Sequence, residues 1–224
     1  MKGICFIEPL HGKTVKKIKV QTRRIINPQP LDIVCSTIID NKLLFEARDE
    51  NDALVFLKPR YKVGDVLYLK EPYKKWTRGL SEGRHTSILY KYGEETPCSK
   101  VGLEGSSYYT DWKNKLFMPA YAARNYIKIK AVRAERLQDI SNEDCIKEGI
   151  YQTGCIAEDY FEPVYENGYN ATSKKSGILC IQYDTPREAY AALIDAINGK
   201  DTWDNNPWVW VYDYELIDRK EVQP

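Results

Sequence analysis

Apolar and polar residues alternate in short runs along most of this chain, and Pro, Gly or Asn punctuates the runs. Residues 3–7 (GICFI) form an apolar stretch that predicts a buried strand, closed by Pro9. Residues 33–39 and 42–47 flank Asp40-Asn41 and predict a hairpin, with 53–57 as the third strand of a meander. After the Gly64-Asp65 turn, Val66, Tyr68 and Lys70 alternate with Leu67, Leu69 and Glu71, the clearest strand entry in the chain. Residues 125–137 set Ile127, Ile129 and Ala131 on one face and Lys128 and Lys130 on the other, the period of a half-buried strand. The aromatic and aliphatic run 208–217 predicts a closing strand deep in a sheet.

Two segments carry helix chemistry instead. Residues 141–148 open with Ser-x-x-Asp and stop at Gly149, which predicts about two turns of helix. Thr185-Pro186-Arg187-Glu188 is a capping box with proline at the first helical position, and Ala189, Tyr190, Leu193, Ile194 and Ile197 make one apolar stripe before Gly199. Between the periodic segments, 27–30 (NPQP) enforces an extended path. Residues 78–111 and 151–183 show little period beyond a strand-like 87–92, so both are expected as long loops. The sum is one α+β domain over residues 1–224 with insertions at about 78–111 and 151–183.

Charge adds a local feature that the totals hide. Lys and Arg number 33 and Asp and Glu 32, yet no acid occurs from Pro9 through Leu31, where Lys13, Lys16, Lys17, Lys19, Arg23 and Arg24 accumulate. Any affinity for polyanions must therefore come from a patch. Six cysteines (5, 35, 98, 145, 155 and 180) include no CxxC pair, and the chain holds only His11 and His85. They are expected as reduced, mostly buried thiols of a cytoplasmic protein, with no metal and no cofactor. No window approaches the ~20 apolar residues of a membrane span, and the first apolar run is too short for a signal peptide, so no membrane partner is expected.

Candidate chemistry sits inside the basic stretch. Lys19 and Thr22 are an amine and a hydroxyl three residues apart, and a lysine crowded by cations or desolvated becomes a usable base. The plain alternative is a solvated basic face or a phosphate clamp, with Lys16, Lys17, Arg23 and Arg24 as contacts. Glu148 lies at the C-terminal end of its predicted helix, where the dipole disfavours a carboxylate, which marks it for proton transfer or for pairing with a cation. Tyr73 and Trp76, next to Lys74 and Lys75, are candidates for stacking on bases, while Trp208 and Trp210 read as core.

Six stretches taken together, KIKVQTRR with NPQP, VGDVLYLKEP, LFMPAYAAR, ERLQDISNEDCIKEGI, TPREAYAALIDAING and WDNNPWVWVYDYELI, resemble the ASCH proteins of phages and prophages, a branch of the PUA-like β-barrels. That resemblance implies a mixed PUA-like barrel with short flanking helices. The ASCH group includes bacterial amidohydrolases that deacetylate acetylcytidine, and their Gly-x-Lys-x-x-Thr-x-Arg pattern with a distant helical Glu is matched by Lys19, Thr22, Arg24 and Glu148. The resemblance thus implies Thr22 as nucleophile, Lys19 as its activator and Glu148 as proton-transfer partner. Lys17 stands where that pattern has Gly. The expected ligand is RNA, single-stranded nucleic acid or a modified nucleoside; the alternatives are a binding module without catalysis and a phage-encoded protein-interaction factor.

Overall fold

The computed structural model describes residues 1–39, 42–80, 83–91, 107–155, 158–162 and 183–222. Its strands are β1 (Lys2–Cys5), β2 (Gln21–Ile25), β3 (Asp32–Ile39), β4 (Lys42–Arg48), β5 (Leu54–Leu57), β6 (Val66–Lys70), β7 (Tyr73–Leu80), β8 (Gly83–Tyr90), β9 (Ser107–Tyr109), β10 (Tyr126–Arg136), β11 (Tyr151–Cys155), β12 (Glu158–Glu162) and β13 (Trp208–Ile217). The α-helices are α1 (Glu8–Val15), α2 (Asn142–Lys147) and α3 (Pro186–Asn198). The architecture is α+β and dominated by strands in open sheets; no sheet closes into a barrel among the described residues. No described helix is long and apolar enough to cross a membrane.

The chain divides into two compact units, each assembled from separated segments. The first comprises Met1–Val15, Val66–Ile127 and Leu216–Pro224. In it β1 runs parallel to β6, with Gly3 opposite Tyr68, and the start of β10 follows β6 in strand order. A Cβ on Gly3 would lie 2.6 Å from Cζ of Tyr68, whose hydroxyl is anchored on Met118 O, so the Tyr68 ring lies over β1 in the space that the glycine leaves. Tyr68, Tyr73, Met118, Ala122, Ala123, Tyr126 and Ile217 form its apolar core. Beside that core, Glu71 is fully buried and is held by Arg124 through two hydrogen bonds of 2.8 and 2.9 Å. Burial pushes the Glu71 carboxyl up, and Arg124 opposes that rise.

Two elements of this unit differ from the sequence expectation. Pro9 does not only end a strand: α1 begins at Glu8, because proline in a first helical turn removes no needed N–H. Leu10, His11, Lys13 and Thr14 of α1 are buried. The stretch expected as a loop from residue 78 starts inside β7, which pairs antiparallel with β8 (Tyr73 to Tyr90, Leu80 to Gly83) and with β9. Its lysines and glycines mask a β-prone Tyr, Trp, Thr and Ile content that pairing with neighbouring strands satisfies.

The second unit comprises Lys16–Asp65 and Lys128–Glu215. Here β13 lies between β10 and β2, and its antiparallel register with β2 sets Tyr212 opposite Thr22 and Val211 opposite Arg23. The β3–β4–β5 meander forms as the pattern predicts, with a register shift between Ile33 and Cys35. Thr185 caps α3 by accepting from the Glu188 amide at 3.2 Å, and Ala189, Tyr190, Leu193 and Ile194 are buried, while Ile197 at the end of the stripe is exposed. In the segment 151–183, β11 and β12 form a hairpin, and 163–182 lies outside the described residues. Cys5, Cys35 and Cys145 are free thiols, of which Cys35 is exposed and Cys145 buried.

Candidate functional site

The short helix α2 brings the distant parts of the chain together at its C-terminal end. Ser141 caps the start by accepting from the Asp144 amide at 3.1 Å. At the other end Gly149 adopts φ +102°, the Gly149 amide donates to Ile146 O and the Ile150 amide to Cys145 O, a Schellman ending that only a residue tolerant of positive φ completes cheaply. Two further terminal carbonyls remain, and the segment ahead of β2 fills them: the Val20 amide donates to Lys147 O at 2.9 Å and Lys19 Nζ to Glu148 O at 2.9 Å. A cation is favoured at that end of a helix.

Lys19 is 1% exposed and also donates to Glu148 Oε2 at 2.5 Å and to Gln21 O at 2.6 Å. Three donors thus meet three acceptors, and residues 129 positions apart form one buried ion pair. Glu148 Oε1 receives Arg23 Nη1 at 3.3 Å. Arg23 is buried too; its Nη2 bonds Glu135 and Asp144 at 3.1 Å each, and its Nη1 bonds Gln21 Oε1 at 2.5 Å. Arg133 extends the network to Glu135, to Asp144 at 2.6 Å and to Asp213 at 2.6 Å, and Lys147 bonds Asp144 at 2.9 Å. Gln21 Nε2 closes the circuit on Asp213 at 2.6 Å. Lys19, Arg23, Arg133 and Lys147 balance Glu135, Asp144, Glu148 and Asp213.

Burial lowers the Lys19 pKa from its ordinary 10.5, and Glu148 only partly restores it while Arg24 and Arg23 add to the fall. Burial also disfavours the Arg23 cation, but Glu148, with Glu135 and Asp144, more than offsets this and its pKa rises. Burial pushes the Cys145 thiol up to about 12, which makes it inert, and drives the Tyr190 phenol well above 10.0.

The residues singled out in the sequence separate into groups. Lys19 and Glu148 converge. Thr22 is 4% exposed, one residue beyond the Gln21 carbonyl that Lys19 grips, but its hydroxyl takes no part in the network among the described residues. By strand alternation Gln21 and Arg23 share one face of β2 and Thr22 and Arg24 the other, with Tyr212 across from Thr22. Lys16, Lys17 and Arg24 are exposed. Arg23 is not the surface phosphate contact its charge suggested, because three carboxylates and Gln21 hold it inside. Lys13, expected on the surface, is 7% exposed within α1. Tyr73 is no stacking platform: at 4% exposure it belongs to the core of the first unit. The Trp76 side chain lies outside the described residues.

Lys17 takes φ +61°, the left-handed conformation that glycine adopts freely and that costs another residue about 1 kcal/mol. Replacing Lys17 by Gly is expected to leave the thermal midpoint unchanged or raise it slightly, since relief of strain offsets the added freedom of the unfolded chain. Lys17→Val should cost about 1–2 kcal/mol, because a branched side chain fits that region worst. Thermal denaturation of both variants checks this; equal midpoints would refute it.

Gln21, Arg133, Glu135, Asp144, Asp213 and Tyr190 escaped the sequence reading. Weak signals existed: Arg133 and Glu135 share a strand face at i, i+2, and Asp144 and Glu148 share a helix face at i, i+4. Nothing local says that these faces meet. Among the described residues no group of three His, Cys, Asp or Glu is placed to hold a metal ion. Compared with protein-family models, curated proteins and solved structures, the chain matches none.

Proposed function

We propose that this chain is a cytoplasmic ASCH-type protein with a PUA-like barrel plan, and that it removes an acyl group from an acetylcytidine-like base. The observation that carries the reading is the Lys19–Glu148 contact across 129 residues, the pair that the resemblance assigns to proton transfer. The left-handed backbone at Lys17, where the pattern has Gly, supports it by keeping the turn ahead of Lys19.

The order of proton movement that this reading requires starts from Lys19. Lys19 donates through all three of its N–H groups, so it can take the Thr22 proton only after passing one of its own to Glu148 Oε2, 2.5 Å away. Thr22 Oγ then bonds the acyl carbon, Lys19 receives the hydroxyl proton, and Glu148 gives its proton to the departing exocyclic amine. Water attacks the resulting threonyl ester and releases the acid, and both ionisable groups end as they began. Thr22→Ala is expected to lower kcat/KM on N4-acetylcytidine about a thousandfold. Its thermal midpoint should hold, since the hydroxyl lies outside the ion network. Equal turnover in both proteins, or none in the wild type, ends the proposal.

A second reading is a nucleic-acid-binding module without catalysis. In the second unit Lys16, Lys17 and Arg24 are exposed. In the first, exposed Trp112 lies 4.9 Å from Lys74 Nζ and exposed Tyr121 lies 5.7 Å from Lys75 Nζ, pairs of the kind that stack on bases and neutralise phosphates. This reading requires affinity for single-stranded RNA or DNA that falls with salt and survives Thr22→Ala.

A further inference from the structure

Buried polar atoms in folded proteins are almost always hydrogen-bonded, and exceptions mark bound waters, ligands or strain. Two exceptions occur beside the ion network. Tyr190 of α3 is 1% exposed, and its hydroxyl has no hydrogen-bond partner among the described residues; the same holds for Arg23 Nε. Every other polar atom of the Arg23 guanidinium is engaged, and α3 packs against α2, which carries Asp144 and ends at Glu148. Tyr190 is on α3, which packs against α2, and Arg23 is bonded to Asp144 of α2 and to Glu148 at its end, so the two unused donors are carried by groups that meet at one short helix.

The Tyr190 ring is held from the side. Trp203 meets it edge-on with centroids 6.3 Å apart, and Trp203 is fixed in turn by its amide, which donates to Asp195 Oδ1 at 2.8 Å. A ring held against Trp203 fixes where the phenol oxygen lies, and no described group takes its O–H.

We infer that the Tyr190 hydroxyl, together with Arg23 Nε, is a pair of donors held ready for a carbonyl oxygen of a bound ligand. The charges argue for a neutral acceptor rather than a phosphate. The cations paired here are already matched by carboxylates, and Glu148 would repel an added anion. A pyrimidine or acyl carbonyl fits two neutralised donors of this type. The inference rests on the proposed function only for the choice of probe.

The test is Tyr190→Phe, which keeps the ring and removes one oxygen. If the hydroxyl serves a ligand, the thermal midpoint of the free protein is unchanged or raised, because a buried donor without a partner contributes nothing to the fold. With N4-acetylcytidine, kcat/KM should fall about tenfold or more. A midpoint lowered by several degrees would show that the hydroxyl is satisfied internally, through a buried water, and overturns the inference. So does unchanged stability with unchanged turnover, an outcome that leaves the proposed function standing. If the wild type leaves N4-acetylcytidine intact, the proposed function falls by itself, and the inference is read from cytidine. A cytidine-induced rise in the wild-type midpoint that Tyr190→Phe abolishes upholds it, and no rise in the wild type overturns it.

Discussion

Glu148→Ala is expected to lower the stability of the protein by about 3–5 kcal/mol, the cost of removing one partner from a buried ion pair. The effect is large because Lys19 is 1% exposed and Arg23 7%, so neither cation can turn to water when the carboxylate is gone. Arg23 keeps Glu135 and Asp144, whereas Lys19 loses the Glu148 carboxylate at 2.5 Å and retains the carbonyls of Gln21 and residue 148. For a chain of this size the thermal midpoint should fall by about 10 °C. The double variant Lys19→Met, Glu148→Leu removes both charges and should recover part of that loss, since apolar replacement of a whole buried pair is often neutral. Recovery stays incomplete because two carbonyls lose the Lys19 donor. Denaturant titration of the wild type and the two variants decides it; a double variant no more stable than Glu148→Ala would mean that an uncompensated ammonium is not the source of the cost. Neither variant should turn over N4-acetylcytidine, which separates the fold contribution of the pair from its proposed chemistry.

The second large effect is a loss of stability in acid through His11. This residue lies on α1 in the first unit, is 1% exposed, and its pKa is lowered from 6.5 to about 4 by burial, with Arg124 and Lys115 adding to the fall. The unfolded chain binds a proton near pH 6.5, and the folded chain refuses it until about pH 4. The contribution of neutral His11 is therefore complete above pH 6.5 and drains away as the pH falls through 4, by up to about 3 kcal/mol. Burial also raises the pKa of the Glu71 carboxyl, against the opposing pull of Arg124, so acid acts on more than one buried group. The comparison that isolates His11 is the wild type against His11→Gln, each unfolded by denaturant at pH 7 and pH 4. The wild type should lose about 3 kcal/mol more than the variant, and parallel losses would refute the assignment.

Several elements were legible in the residues alone. Ser141 and Thr185 cap the helices they were expected to cap, and Gly149 and Gly199 end them with positive φ. The meander of β3, β4 and β5, the entry into β6, and the long strands β10 and β13 follow from alternation and turn residues. Such signals are local: a cap, a period of two or a stripe is written within a few residues. Helix α1 and the pairing of β7 with β8 and β9 were hidden because Pro9 and a run of lysines and glycines look like breaks until a neighbouring strand or the first turn of a helix accommodates them.

By itself the sequence determined the capped helices α2 and α3, the β3–β5 meander, the strands β6, β10 and β13, and the presence of a one-signed stretch around Lys19 and Thr22. Charge type, however, does not say where a side chain ends up. Lys13, Arg23 and Tyr73 carry the marks of surface contacts and are buried, and Lys16 and Lys17, of the same run, are exposed. Only the tertiary structure decided which cations went inside, because a buried charge is tolerable only where a partner from elsewhere in the chain meets it. For Lys19 and Arg23 those partners are Glu148, Asp144 and Glu135, all more than a hundred residues away, delivered by one short helix and one strand.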